Sequence, residues 1–295
     1  MDFYTRTDLA CESVPQKGEK TEGADWREEQ IGCFHISELF IRNEKASEKI
    51  GKPQGHYITV ECGRINYLGD EDNDLLRHLL AGKLKGMAER LTGKEINAEF
   101  SVFAAGLGNA ELTADAIGPK TAGYLTATRH LREHEAQLYH SIGCSALSAL
   151  APGVLGQTGI ETLELLRGAV GYVKPDLVLV VDALAARSCS RLASTVQISD
   201  AGISPGSGVA NHRAGIMRET LGVPVIAIGV PTVVNSSTLV YDALQQAGIE
   251  EIGDSLRRVL ESGKSFFVSP KDSDVITEQV SRLLAGAIGA AFTGL

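Results

Sequence analysis

Apolar and polar residues alternate with two different textures, and the change comes near Phe100. Before it, residues 36–42 and 56–62 carry β-branched and aromatic side chains bounded by Gly and Pro. That predicts two strands, partners of each other as a hairpin or edge pair. Residues 70–91 are amphipathic, with Leu75, Leu76, Leu79, Leu80, Leu84, Met87 and Leu91 at helical spacing. Acids lead this segment and Arg90 sits near its end, as a helix dipole favours. Residues 1 to about 31 are polar and read as a mobile arm with one short helix around 25–30.

After Phe100, short apolar runs at 101–105, 145–150, 177–181, 195–198 and 225–230 predict buried strands. Helical stretches around 113–128, 159–173 and 236–246 lie between or after them, and a helix at 273–292 closes the chain. Strands alternating with helices predict an α/β fold: a mostly parallel central sheet with helices on both faces. Residues 100–295 form this core sheet and 32–99 a small strand–helix addition. Ligands of such sheets bind beyond the carboxyl ends of the strands. The residues to read are therefore Gly106-Leu107-Gly108-Asn109, Ala151-Pro152-Gly153, Asp182-Ala183-Leu184, Ser199-Asp200 and Gly229-Val230-Pro231-Thr232. Two acids, Asp182 and Asp200, and several glycines are expected on one edge.

Composition narrows the function. The 295 residues suit one large domain, or a domain with an appendage, and 43% hydrophobic content is enough for a core. Lys and Arg number 28 against 37 Asp and Glu, a formal charge of −9, which argues against coating nucleic acid. No apolar run is long enough to span a membrane, and the first residues lack a signal-peptide pattern. The five cysteines are scattered with no CxxC pair, which points to reduced thiols in a cytoplasm.

Individual motifs are weaker. Gly106-Leu107-Gly108-Asn109 lacks the third glycine of a dinucleotide fingerprint, Glu111 standing there, and no P-loop exists. Asp115, taken alone, reads as an acid stabilised at a helix N-terminus. Asp182 ends a buried strand, where a carboxylate needs a partner; Arg187 is one candidate. Two carboxylates held close share a proton and can do acid–base work on water. His130, Glu133 and His134 match H-x-x-E-H, a zinc-peptidase pattern with Glu133 as base. Arg129, Arg132 and Glu135 around it read as a solvated helix end. No G-x-S-x-G elbow surrounds Ser188 or Ser207, and Cys189 is an ordinary loop residue. Ser204-Pro205-Gly206-Ser207-Gly208 with Asn211 reads as a turn-rich loop, either a connection or a groove lining.

The ordered set of motifs is more specific. Arg6-Thr7-Asp8-Leu9-Ala10, Gly106-Leu107-Gly108-Asn109 and Asp115-Ala116-Ile117-Gly118-Pro119 resemble the spore germination protease family. So do Ala151-Pro152-Gly153-Val154, Thr158-Gly159-Ile160-Glu161-Thr162 and Val181-Asp182-Ala183-Leu184-Ala185-Ala186-Arg187. Gln197-Ile198-Ser199-Asp200, Pro205-Gly206-Ser207-Gly208-Val209 and Gly222 through Val234 complete the resemblance, dense over 100–245.

The resemblance implies an endopeptidase that degrades small acid-soluble spore proteins at germination. It implies an atypical aspartic-type enzyme whose two aspartates match Asp115 and Asp182, with no metal or other cofactor. Backbone N–H groups near Gly106, Gly108 and Asn109, or near Gly206, Ser207 and Gly208, are the expected oxyanion donors. The fold is expected to be phosphorylase/hydrolase-like and similar to hydrogenase-maturation endopeptidases. Family likeness also implies a homotetramer made as a zymogen in the cytoplasm of the spore core, acting on neither nucleic acid nor membrane. The self-cleavage site maps onto Asp8–Leu9, with residues 1–8 as prosegment and 9–295 as a single peptidase domain. Asp8 would bring a third negative charge toward the pair, so acidification would favour self-cleavage. Segment 248–263 is short for the family, which bears on the subunit contacts. The competing readings are a zinc peptidase using His130, Glu133 and His134, and a non-enzymatic acidic scaffold for basic spore proteins.

Overall fold

A computed structural model describes residues 7–14, 21–204, 214–249, 253–261 and 266–294. The strands are β1 (Ala24–Ile31), β2 (Phe34–Ile41), β3 (Gly55–Glu61), β4 (Ser101–Gly106), β5 (Ala146–Leu150), β6 (Leu177–Ala186), β7 (Thr195–Ser199), β8 (Val225–Asn235) and β9 (Phe267–Val268). The helices are α1 (Glu44–Ile50), α2 (Asp70–Thr92), α3 (Ile117–Tyr124), α4 (Arg129–His134), α5 (Ala136–Ile142), α6 (Leu155–Thr158), α7 (Thr162–Val173), α8 (Arg218–Leu221), α9 (Ser236–Gln246), α10 (Asp254–Glu261) and α11 (Ser273–Phe292).

All nine strands belong to one sheet in the order β1-β2-β3-β7-β8-β6-β4-β5, with β9 against β8. The fold is α/β, as its alternation predicts, but the sheet is mixed, not mostly parallel. The neighbouring pairs β8–β6, β6–β4 and β4–β5 are parallel. The pairs β1–β2, β2–β3, β3–β7 and β7–β8 are antiparallel. Parallel neighbours need a long crossover, whereas β1 and β2 are joined by the two residues Gly32 and Cys33. The strand–helix addition therefore extends the core sheet through β7.

The segment around 25–30 is a strand, not a helix. Ala24 through Ile31 pair with Ile41 through Phe34, and Gly32 takes the positive φ (58°) that a tight hairpin turn demands. Pairing along the whole length of β2 overrides a weak local preference. The expected mobile arm is also partly fixed: Leu9 and Ala10 are 0% exposed.

Alternation along the strands divides the core. Val102, Leu179, Ile226 and Ile228 face Leu76, Leu80 and Leu84 of α2 and Val280, Leu284 and Ile288 of α11. Phe103, Val178 and Val180 face the opposite side, against Leu163, Leu166 and Val170 of α7. Successive strand residues point to opposite faces, so adjacent apolar residues serve both layers. Each fully buried side chain of this kind contributes about 1.5–3 kcal/mol.

Candidate active site

The carboxyl end of β4 meets the middle of β6: the apolar run places Asp182 at a strand's end, but β6 continues to Ala186 because β8 pairs with it throughout, with Asp182 opposite Gly229. Gly106 pairs with Val181, and the Leu107 N–H donates to the Val181 carbonyl at 2.8 Å. Helix α3 starts directly over this junction. A β-carbon on Gly118 would stand 2.2 Å from the Leu107 oxygen and 2.5 Å from the Val181 oxygen. One on Gly106 would stand 2.0 Å from the Gly118 oxygen. Only glycines permit this approach. It draws in the 3-10 turn Thr113–Asp115 that precedes α3, and this turn lies against β6 and β8. Thr232 on β8 and Thr277 on α11 fasten it, their hydroxyls donating to the carbonyls of Ala114 (2.6 Å) and Thr113 (3.0 Å).

Asp115 thereby sits on a turn packed against β6, the strand that bears Asp182. Its Oδ2 accepts the Asn109 N–H at 2.7 Å. Gly108 has φ +112°, and a β-carbon there would lie 2.1 Å from the Asp115 carbonyl oxygen. The Asn109 side-chain oxygen accepts from Glu111 N–H (3.0 Å) and from Gln157 of α6 (2.9 Å). Asp182 is 6% exposed, and its Oδ1 accepts the Ala183 N–H at 2.9 Å. The Leu107 and Asn109 N–H groups are thus both engaged within the site, the second on Asp115 itself.

Asp200 does not join this site. Because β7 is antiparallel to β8, Ser199 pairs with Ala227 and the chain leaves the sheet at the opposite end. There Asp200 accepts the His56 N–H (2.6 Å) and pairs with Arg90 (2.9 Å). Gly229 through Thr232 lie within β8, not in a loop beyond it. Gly206, Ser207, Gly208 and Asn211 lie outside the described residues. The stretch that contains them is bracketed by a mutual backbone pair between Ile203 and Ile216 (2.9 and 2.7 Å).

His130, Glu133 and His134 are exposed on α4, and Glu133 forms an ion pair with Arg129 at 2.6 Å. Among the described residues no three His, Cys, Asp or Glu side chains cluster as metal ligands. The Ser188 hydroxyl contacts that of Ser190 at 2.8 Å, a local turn.

The segment Thr7–Glu12 lies on the same assembly. Asp8 N–H donates to the Ala185 carbonyl and Ala185 N–H to the Asp8 carboxylate, both at 2.8 Å. Glu12 is buried and accepts the N–H groups of Arg187 (2.7 Å) and Ser188 (2.9 Å) at the end of β6, with the Thr7 hydroxyl also on its carboxylate. Lys52 Nζ donates to the Thr7 carbonyl at 2.7 Å. Burial pushes the Lys52 ammonium pKa down against the attraction of Asp8 and Glu12.

Gly118, Glu12, Lys52 and Gln197 do structural work that motif reading does not assign to them. Gln197 has a legible signal, an amide side chain in the middle of an apolar strand. Lys52 and Glu12 have none, since both lie in polar surroundings along the chain.

The germination protease family model matches residues 6–257. A germination protease of Clostridium acetobutylicum is 36% identical, over 97% of this chain and 94% of its own length. One from Priestia megaterium is 38% identical over 96% of this chain and 78% of its own. One from a Geobacillus species is 40% identical over 82% and 67%. Among solved structures, the [NiFe] hydrogenase maturation protease HycI of Thermococcus kodakarensis aligns with 68% of this chain and 98% of its own at 18% identity, with a TM-score of 0.35.

Proposed function

The chain belongs to the germination protease family and is an endopeptidase acting in spore germination; we propose that it hydrolyses small acid-soluble spore proteins with the carboxylates of Asp115 and Asp182. The observation that carries this is the contact of Gly118 with the Leu107 and Val181 backbone, which sets the Asp115 turn against the strand that bears Asp182.

Two carboxyl groups held close ionise together only at high cost, so the pair holds one proton between them. The ionised member takes a proton from a water as the water oxygen adds to the peptide carbonyl carbon. Its protonated partner donates to the carbonyl oxygen; the first carboxyl then passes the proton it took from the water to the departing amine as the C–N bond breaks, and the partner takes a proton back from the hydroxyl of the intermediate. The pair titrates as a unit. In this reading the N–H of Gly106 or Gly108, or those of Gly206, Ser207 and Gly208, stabilise the negative charge that develops on the carbonyl oxygen, while the Asn109 N–H holds Asp115. In this reading the enzyme is of atypical aspartic type and needs no metal.

The same reading takes residues 1–8 as a prosegment, cut at Asp8–Leu9, and 9–295 as the peptidase domain. It takes the working form as a homotetramer in the cytoplasm of the spore core. Among the described residues no helix is long and apolar enough to cross a membrane.

Asp115→Asn and Asp182→Asn are the direct test, with a purified basic spore protein as substrate and excess chelator present. The expected result is fragments from the parent chain in chelator and a loss of about 10²–10⁴ in rate in each variant. Full activity in either variant removes that aspartate from the chemistry. Loss of the parent activity in chelator favours a metal mechanism, and an intact substrate favours a scaffold.

A further inference from the structure

Gln197 is buried in the middle of β7 and uses both ends of its side-chain amide on the N-terminal segment. Nε2 donates to the Asp8 carbonyl at 3.2 Å, and Oε1 accepts the Ala10 N–H at 2.7 Å. A parallel strand neighbour holds an extended chain in the same way, by the carbonyl of one residue and the N–H two residues on. The side chain of Gln197 therefore acts as an added strand residue opposite Leu9. Leu9 is 0% exposed among Leu184, Ala186, Leu192 and Val234. With Lys52 on the Thr7 carbonyl, both sides of the Asp8–Leu9 peptide are clamped. An amide buried in an apolar strand is costly unless both its ends are bonded, and here residues 8 and 10 bond both.

The clamp has a defined position relative to Asp182. Asp182 pairs with Gly229 and Gly229 with Gln197, so the three form one row across β6, β8 and β7 and share a face. Two strand spacings put the backbones of Asp182 and Gln197 about 10 Å apart. Along β6, Ala185, which binds Asp8, is three residues beyond Asp182, again about 10 Å. Leu184 lies between: a β-carbon on Gly229 would stand 2.6 Å from its Cγ, so the bare glycine is what admits it. The attacking water must stand about 3–3.5 Å from the carbonyl carbon and within about 3 Å of the carboxylate that activates it.

We propose that Gln197 and Lys52 are positioning residues that form a latch, parking the Asp8–Leu9 bond on the face of Asp182 but beyond its reach, so that self-cleavage waits on their release. The inference rests on the reading that this chain cuts itself after Asp8. In that step the water oxygen bonds to the Asp8 carbonyl carbon and the C–N bond to Leu9 breaks. Asp8 leaves with a new carboxylate, and the Leu9 nitrogen gains the proton.

The test is the full chain carrying Gln197→Leu, or Lys52→Met as a second variant, with the new Leu9 terminus timed by mass spectrometry. Both variants are expected to process at least fivefold faster than the parent, at unfolding temperatures close to the parent's. A second readout does not depend on self-cleavage. In the Asp182→Asn background, an added endoprotease that cuts after acidic residues is expected to nick Asp8–Leu9 at least fivefold faster once Gln197 is replaced. Slower or unchanged processing in folded variants, together with unchanged nicking, overturns the latch while leaving the self-cleavage reading intact. Faster nicking in a chain that never processes itself upholds the latch and overturns self-cleavage.

Discussion

Gly118 sits against Val181 so closely that a β-carbon on it would lie 2.5 Å from the Val181 carbonyl oxygen. The three nearest atoms it would meet are all backbone, at Leu107 and Val181, so no side chain can swing aside to make room. Gly118→Ala must push α3, and with it the Asp115 turn, away from β6. The expected cost is about 1–3 kcal/mol in stability, the usual range for overpacking. Peptidase activity is expected to fall about a hundredfold, as a displacement near 1 Å at reacting groups can produce. Thermal unfolding and kcat on one substrate peptide measure both. An active Gly118→Ala enzyme would show that the α3 contact does not position Asp115.

Glu12 holds the far end of the same strand. Its carboxylate accepts two backbone N–H groups, those of Arg187 and Ser188. Glu12→Ala leaves both donors without it, at about 1–3 kcal/mol for each buried group left unsatisfied. The unfolding temperature is expected to drop by at least several degrees. Glu12→Gln, which keeps one acceptor oxygen, should lie between the parent and the alanine variant in the same melt.

His56 gives stability an acid limb. Its Nε2 lies 3.2 Å from Glu38 and its Nδ1 accepts from Arg90 at 3.2 Å, while the ring stacks on Phe40 with centroids 3.9 Å apart. Burial, above all, lowers its pKa; Glu38 and Asp200 oppose this and Arg90 adds to it. Lys83 bridges Glu38 and Glu29 beside it. Because the folded-state pKa lies below the unfolded one, protons bind the unfolded chain more readily. The His56 contribution is therefore complete above the unfolded value of about 6.5 and is lost as pH falls below it. Melts from pH 7.5 to 5 should show a falling unfolding temperature in the parent and a shallower slope in His56→Gln. Equal slopes would exclude His56 as a source of the acid sensitivity.

Thiol labelling should be ordered by burial. Desolvation raises Cys11 to about 11 and Cys62 to about 12. At pH 8 about one part in a thousand of Cys11 is thiolate, and less of Cys62. Cys33 and Cys189 are exposed and should react first with an alkylating reagent, Cys11 and Cys62 only after unfolding. Tryptic mapping of the labelled sites checks the order, and early modification of Cys11 would mean that the Thr7–Glu12 segment undocks in solution.

Local pattern made much of this molecule legible. The helices at 236–246 and 273–292 lie where their periodicity put them. Leu76, Leu80 and Leu84 of α2 face the core as their spacing requires. Gly106 ends β4 as its apolar run requires, whereas Asp182 lies inside β6, which runs on to Ala186. Such signals act within a few residues, because helical and strand periods are properties of adjacent backbone.

What the sequence by itself determined is therefore the alternation of elements and the buried faces. Tertiary structure alone decided that β7 runs antiparallel, which sends Asp200 to the far end with Arg90 and His56. It also turned residues 25–30 into a strand and docked Asp8 onto Ala185 and Gln197. Each of these depends on hydrogen bonds between segments far apart in the chain or on partners along a whole strand. No local period encodes such bonds, since they form only once the sheet has brought the two segments together.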